Sequence, residues 1–332
     1  MKVVIPLAGK GTRLRPHTHV TPKPLLKVAD KPVMSYILDD LRELGVHEAV
    51  VITGHLKEKV ERYMAEEYPD FQAVYVEQPE QNGTAGAVLL AEPHAEEELL
   101  IIFVDTLFDA DLSIVKTLPE DVAGVIWAKE VEDYQRFGVI VTDADGFMQR
   151  IIEKPSEPIS KLANIGLYYI RDWKLLFEGI HHVMAAAPGG AGEYYLTDAF
   201  QYMVDHGAKI KTVAIEGWYD AGKPDTLLET NNHVLSTTRG KLPANVGSDV
   251  VVIEPVHVAE GVTIEDSEIG PNVTLSAGTT VRGSRLRDCI VGEGSTIEGC
   301  ELHDSLIGSR VTVQGVKGQV DLGDDSVVRT GA

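Results

Sequence analysis

Cysteine is almost absent from this chain: only Cys289 and Cys300 occur in 332 residues, and they lack C-x-x-C spacing. That excludes a disulfide framework and a cysteine metal knuckle, and it fits a reducing compartment, so a cytoplasmic location is expected. Positive charge is scarce as well, since 30 Lys and Arg face 51 Asp and Glu for a formal net charge of −21. Such a balance repels DNA and anionic lipid, which leaves no nucleic acid and no membrane among the expected partners. Long apolar runs are missing too. Val3 to Ala8 is short, is interrupted by Pro6 and is followed by charge, and is read as neither a signal peptide nor a membrane span. What remains is 44% hydrophobic residues, ample for packed cores, at a length that suggests two domains.

The few cations are unevenly placed. The first 31 residues hold seven of them (Lys2, Lys10, Arg13, Arg15, Lys23, Lys27, Lys31) against one carboxylate, Asp30, so that stretch is +6 and the remainder −27. They surround a glycine turn, L-A-G-K-G-T-R-L from Leu7 to Leu14, that follows an apolar run. Gly9 and Gly11 would let backbone N–H groups approach phosphate oxygens with no side chain in the way. The pattern therefore points to a polyanion pocket, and to a nucleoside triphosphate as its occupant. It is not a P-loop, because no G-x-x-x-x-G-K-[ST] exists. Nor is it a dinucleotide fingerprint, because Leu14 stands where the third glycine belongs.

Two periodicities divide the chain. Up to about Val234, apolar runs of strand length (Val3 to Leu7, Ala49 to Thr53, Ala73 to Glu77, Leu99 to Val104, Val122 to Ala128) alternate with helical patterns. Val33, Ile37, Leu41 and Leu44 repeat at helical spacing before Gly45, and Leu56 to Glu67 and Thr84 to Glu92 read as further helices. The expected fold is α/β, a mostly parallel sheet covered on both faces. Its ligands should gather at the carboxyl ends of the strands, where Gly9, Gln78 and Asp105 fall. From Val258 onward aliphatic residues recur every five or six positions, and S-E-I-G-P-N-V-T-L, C-I-V-G-E-G-S-T-I and S-L-I-G-S-R-V-T-V are copies of one phrase. That is a hexapeptide-like repeat and predicts a parallel β-helix, with an antiparallel β-sandwich as the alternative. Arg239 to Pro255, with Gly, Pro and Asn, reads as the junction.

Eight motifs in order resemble the sugar-1-phosphate nucleotidylyltransferase family. The Leu7 to Leu14 turn and P-K-P-L-L at Pro22 to Leu26 open the series. Q-P-E-Q-N-G-T-A from Gln78, F-G-V-I from Phe137, E-K-P from Glu153, N-I-G-L-Y from Asn164, G-E-Y-Y-L-T-D from Gly192 and W-Y-D-A-G from Trp218 follow. The resemblance implies a Rossmann-like nucleotidyltransferase catalytic domain over 1–238 and a left-handed β-helix over 245–332. It also implies a reaction in which a sugar-1-phosphate oxygen attacks the α-phosphorus of a nucleotide in line and pyrophosphate leaves. Both reactants are anions, so catalysis is chiefly charge relief and positioning.

Residue roles follow from the same resemblance. Leu7, Ala8, Gly9, Gly11 and Thr12 would hold the triphosphate end of the nucleotide, Arg13 the departing pyrophosphate, Lys23 the α-phosphate and Lys154 the sugar phosphate. Asp105 and Asp220 would bind Mg²⁺, whose preference for hard oxygen ligands suits two carboxylates. Gln78 and Gly83 are assigned to the base, and Phe137, Gly138, Glu153, Asn164 and Tyr168 to the sugar. Asp109 and Asp111 read as a solvated turn or helix cap. The family usually has Gly where this chain has Val104, which bears on nucleoside preference. Glucose-1-phosphate with dTTP or UTP is the favoured substrate pair. N-acetylglucosamine-1-phosphate uridylyltransferase with an attached acetyltransferase, mannose-1-phosphate guanylyltransferase and a silent nucleotide-sugar sensor stay open. His303 is the one histidine that an acetyltransferase would use. Otherwise the β-helix reads as an assembly or regulatory module, and a homo-oligomer is expected.

Overall fold

A computed structural model describes residues 1–189, 192–238, 240–242 and 249–330. Part of the expected junction, 239 and 243–248, lies outside the described residues. The chain divides into two compact units, Met1–Gly9 with Ile37–Trp218, and Lys10–Tyr36 with Tyr219–Ala332.

The first unit is built on nine strands: β1 (Lys2–Pro6), β2 (Glu48–Thr53), β3 (Gln72–Glu77), β4 (Leu99–Ile102), β5 (Val122–Glu130), β6 (Gly138–Thr142), β7 (Met148–Glu153), β8 (Leu162–Ile170) and β9 (Lys209–Ala214). Their order is β7-β6-β8-β4-β1-β2-β3, with β5 also on β8 and β9 on β5. β4, β1, β2 and β3 are mutually parallel, β8 runs against β4, β5 and β6, and β7 runs against β6. With β9 parallel to β5, all strands but β7 and β8 point one way, so the sheet is mixed and mostly parallel. Val4, Val50, Ile52, Leu99 and Ile101 belong to one core with the apolar stripes of α3 (Thr84–Leu89), α4 (Trp173–Ala185) and α5 (Leu196–Asp205). Residues of the other parity, Val3, Ile5, Val51, Leu100 and Ile102, are equally buried, so both faces are covered as expected. α1 (Val33–Leu44) and α2 (Lys57–Glu67) bury Ile37, Leu38 and Leu41, and Val60 and Met64.

Several boundaries differ by a few residues from the sequence reading, and two have a plain physical cause. β4 stops at Ile102 because the chain turns at Val104 and Asp105, after Phe103 has given its N–H to Gly166. α3 stops at Leu89 and a short 3₁₀ turn, Glu92–His94, follows. Pro93 has no N–H to offer the Leu89 carbonyl, so the helix cannot continue to Glu92.

The second unit contains the β-helix. Its strands stack in parallel on three faces, as along Thr263, Thr280, Thr296, Thr312 and Val327 on one of them. Each coil therefore takes 15 to 17 residues, the sum of the five- and six-residue spacings in the sequence. Inward side chains, among them Val256, Ile269, Val281, Cys289, Val291, Ile297, Cys300 and Val313, form one continuous core. Each corner needs a left-handed residue. Gly278 and Gly294 serve one corner, Gly283 and Gly299 another, and Asn272, Asp288 and Asp304 the third, all at positive φ. That conformation is why Gly, Asn and Asp recur at fixed places in the phrase.

α6 (Pro224–Thr238) lies along the β-helix over strands Arg285–Val291 and Glu301–Ile307. There Ile290 and Leu306 face outward yet are buried, and Thr274 Oγ1 donates to Asn231 Oδ1 at 2.7 Å. Residues 10–36 of the same unit form three 3₁₀ turns (Thr12–Leu14, His17–His19, Lys23–Leu25) and a short ribbon. No helix among the described residues is long and apolar enough to cross a membrane.

Candidate active site

In the first unit the loops after β1, β3 and β4 leave the same edge of the sheet, at the carboxyl ends of its parallel strands. This is where Gly9, Gln78 and Asp105 were expected to meet ligands. Leu7 N donates to Ile52 O at 2.7 Å, and Gln81 Nε2 donates to Ala8 O at 2.5 Å. Gly54, which the sequence reading missed, makes this turn possible. A Cβ on it would come within 2.7 Å of the Ala8 carbonyl oxygen. Its signal was available, a glycine directly after the β2 carboxyl end. Gly9 has no neighbouring atom within 4 Å of a Cβ position, so the fold does not require a glycine there.

The segment from Gln78 to Ala85 is pinned by backbone contacts. Gly83 sits at φ 110°, and a Cβ there would lie 2.3 Å from the Tyr194 carbonyl oxygen. Tyr194 N donates to Asn82 O and Ala85 N to Tyr194 O, which joins the motif from Gln78 to the motif from Gly192. Gln78 is buried and turns its amide nitrogen toward Asn82 Oδ1 at 3.3 Å.

The residues expected at the sugar converge closely. A Cβ on Gly138 would stand 2.4 Å from Asn164 Nδ2, 2.7 Å from Thr197 Cγ2 and 2.9 Å from Glu153 Oε2. Thr197 donates to Glu153 Oε2 at 3.2 Å, Asn164 Nδ2 donates to Gly138 O, and the Tyr168 hydroxyl donates to Asn164 Oδ1. Burial pushes the Tyr168 phenol well above its ordinary range, with the charges of Glu153 and Asp105 adding to it, so it stays a donor. Burial also raises the Glu153 carboxyl, against the pull of Lys154 and Thr197. Thr197 was inside a quoted motif but had been given no role. The Phe137 ring lies edge-on to Trp218, with centroids 5.2 Å apart, while its carbonyl accepts from Lys154 N at 2.9 Å.

Lys154 itself has φ 45°, a left-handed conformation that is unusual for a lysine. Its Nζ lies 3.6 Å from Glu153 Oε1 and 4.9 Å from the centre of the Tyr195 ring. Val104, the departure from the family pattern, is buried beside Asp105 in the turn. Asp111 caps the turn Leu112–Thr117 by accepting from Ser113 N at 2.8 Å, and hydrogen bonding from the Ser113 side chain, then from its backbone, holds the carboxyl below the usual range.

The second unit carries the other expected groups. Gly11 is left-handed at φ 59°, and a Cβ there would meet Thr18 Cγ2 at 2.9 Å and Lys23 Cβ at 3.3 Å. Thr18 Oγ1 donates to Gly11 O at 2.8 Å, so Gly11, Thr18 and the stem of Lys23 form one packed turn. Asp220 is oriented by Gly222 N at 2.8 Å, by Thr226 Oγ1 at 3.2 Å and, through its own carbonyl, by Thr230 Oγ1 at 2.9 Å. A Cβ on Gly222 would lie 2.6 Å from Asp220 Oδ1 and 3.2 Å from an Arg13 guanidinium nitrogen. The last glycine of W-Y-D-A-G thus admits Arg13 and Asp220 to the same place. Among the described residues no three His, Cys, Asp or Glu side chains cluster as a metal cage.

The Nucleotidyl transferase family model matches residues 2–237. The chain is 35% identical over 243 residues to UTP–glucose-1-phosphate uridylyltransferase AglF of Haloferax volcanii, covering 72% of this chain and 98% of that protein. It is 32% identical over 291 residues to glucose-1-phosphate thymidylyltransferase of Streptomyces antibioticus, covering 86% and 80%. The crystal structure of UDP-glucose pyrophosphorylase complexed with UDP-glucose superposes with a TM-score of 0.64 at 25% identity, over 71% of this chain and 98% of that one.

Proposed function

The chain belongs to the nucleotidyl transferase family as a sugar-1-phosphate nucleotidylyltransferase, and we propose that it joins glucose-1-phosphate to dTTP or UTP, releasing pyrophosphate. The observation that carries the sugar half is the convergence of Glu153, Asn164 and Thr197 on the side-chain space of Gly138, with Tyr168 bonded to Asn164. Glu153 accepts from sugar hydroxyls there, and Asn164, its amide already oriented by Gly138 and Tyr168, donates and accepts. The pyrimidine half is supported by Gln78, whose amide suits a uracil or thymine edge, and by relatives that carry glucose-1-phosphate with UTP or thymidylyl in their names.

Lys154 draws in the sugar phosphate and brings its oxygen up to the α-phosphorus. Backbone N–H groups of Gly9, Gly11 and Thr12 hold the triphosphate, Lys23 offsets charge at the α-phosphate, and Arg13 does so at the pyrophosphate as it leaves. Asp105 and Asp220 are the proposed Mg²⁺ carboxylates. They are hard oxygen donors, and the Asp220 carboxylate is held in place by Gly222 and Thr226. Two carboxylates, with no fuller protein cage among the described residues, suit an ion that keeps waters and takes phosphate oxygens. When bound, Mg²⁺ would neutralise phosphate charge as the P–O bond to pyrophosphate breaks. Pyrophosphate release from ATP, CTP, GTP, UTP and dTTP, each against glucose-, mannose-, galactose- and N-acetylglucosamine-1-phosphate, tests the assignment. Turnover confined to dTTP or UTP with glucose-1-phosphate is expected, and preference for GTP with mannose-1-phosphate or for N-acetylglucosamine-1-phosphate would overturn it.

A further inference from the structure

The turn that carries Gly11 and Arg13 is tied, within its own unit, to residues near the opposite end of the chain. His17 is 3% exposed, and its Nε2 lies 2.6 Å from Oδ1 of Asp321, 304 positions later, on the β-helix strand Asp321–Leu322. Pro16 packs against the same strand end, since a Cβ on Gly323 would come 2.9 Å from Pro16 Cβ. Farther along the segment, Lys27 Nζ is 2.6 Å from Glu293 Oε1 on a β-helix corner. Ala29 N donates at 2.9 Å to Asn231 Oδ1, which also accepts from Thr274 of the β-helix.

His17 is one residue from the turn's internal brace. Thr18 holds Gly11 in two ways, donating Oγ1 to the Gly11 carbonyl and filling with Cγ2 the space a Cβ would need. A displacement of His17 is therefore passed to Gly11 through a single peptide unit. A buried imidazole stripped of its carboxylate partner must find another or move toward water, at a cost set by desolvation.

We propose that the β-helix positions the triphosphate turn: His17 and Asp321 are positioning residues for nucleoside triphosphate, acting through Thr18 on Gly11 to Arg13. The kinetic part rests on the nucleotidylyltransferase reading given above, while the structural part does not. It assigns the carboxyl-terminal coils a task inside their own chain, whatever the chain assembles with.

Full-length His17→Ala and Asp321→Ala variants test it. Each should raise the KM for the triphosphate about tenfold, as displaced positioning contacts do, and leave the KM for sugar-1-phosphate within about twofold. The double variant should be no worse than either single, because both remove one contact. His17→Gln, which keeps a side-chain N–H, should recover most of the loss, whereas a merely structural role would show as lowered Tm with both KM values unchanged. Amide hydrogen exchange over Gly11 to Leu14, followed without substrate, should quicken in Asp321→Ala. Should the Ala variants fail to fold, Asp321→Asn carries the same KM and exchange measurements. Unchanged exchange, or losses that add in the double variant, would overturn the brace. An unmodified chain that released no pyrophosphate from any pair would overturn the enzymatic reading instead, and the exchange result would still decide the brace.

Discussion

Asn164 Nδ2 donates to the Gly138 carbonyl across 2.9 Å, while Asn164 Oδ1 accepts from the Tyr168 hydroxyl. The two contacts fix which end of the amide faces which neighbour, and they leave one N–H and one lone-pair direction for a ligand. Gly138 cannot gain a methyl group without displacing Asn164, Thr197 or Glu153. Gly138→Ala should therefore raise the KM for sugar-1-phosphate about tenfold or more and leave that for the triphosphate nearly unchanged. Steady-state kinetics with each substrate varied in turn would show it. Equal losses for both substrates would argue against a sugar-side cluster.

Glu153 gives a pH-dependent prediction. Its carboxyl is raised in the folded chain, with burial the largest cause, so the fold binds that proton more tightly than the unfolded chain does. The contribution to stability is full below the unfolded value, near pH 4.5, and is lost as pH rises through the folded value. Glu153→Gln should accordingly be more stable than the parent at pH 7 and equal to it near pH 4, while sugar-1-phosphate use falls. Urea titrations at the two pH values would check the sign. A glutamine variant less stable at pH 7 would mean that Lys154 and Thr197 outweigh burial.

Lys154 tests strain and function together. At φ 45°, glycine is the residue the backbone prefers, so Lys154→Gly should be more stable than Lys154→Ala by about 1 kcal/mol, the reverse of the usual order. Both should lose sugar-phosphate affinity. Chemical denaturation separates the pair, and substrate kinetics should not.

Asp105→Asn and Asp220→Asn should each lower kcat about 100-fold or more, with far-ultraviolet circular dichroism unchanged. The remaining activity should need more Mg²⁺ to saturate. Near-normal turnover at ordinary Mg²⁺ in either variant would remove that residue from the metal assignment.

Gly83→Ala should be severe for another reason. The added Cβ meets backbone, the Tyr194 carbonyl oxygen at 2.3 Å and its nitrogen at 2.5 Å, at a φ of 110° that alanine disfavours. A loss of about 2 kcal/mol or more is expected, measured as a shift in the urea midpoint. Unchanged stability would show that the segment from Gln78 can leave Tyr194 at little cost.

Much of this was legible in the residues alone. Apolar runs bounded by charge located β1 to β5 to within two residues, because buried strands such as β1, β2 and β4 leave uninterrupted Val, Ile and Leu, whereas β3, expected to be buried as well, is an exposed to half-buried edge. The β-helix was readable because each coil repeats the same inward positions and the same left-handed corners. The sugar-side residues were readable as motif matches, yet Thr197 went unassigned, since its partner Glu153 is 44 positions away. His17 was the least legible. Flanked by Pro16 and Thr18 in a polar stretch, it gave no local sign of burial, which depends on strand Asp321–Leu322 some 300 residues later. Spacing along a chain reports faces of one element, and it is silent on which distant element will cover them.

The interior of the coils holds one more consequence. Cys289 and Cys300 are both reduced and buried, and burial lifts the Cys289 thiol to about 12. The Cys289 sulfur is therefore not ionised, and neither buried sulfur is reachable by an alkylating reagent while the stack is wound. Timed iodoacetamide labelling read by mass spectrometry would thus clock the unwinding of individual rungs, with the native chain supplying its own reporter.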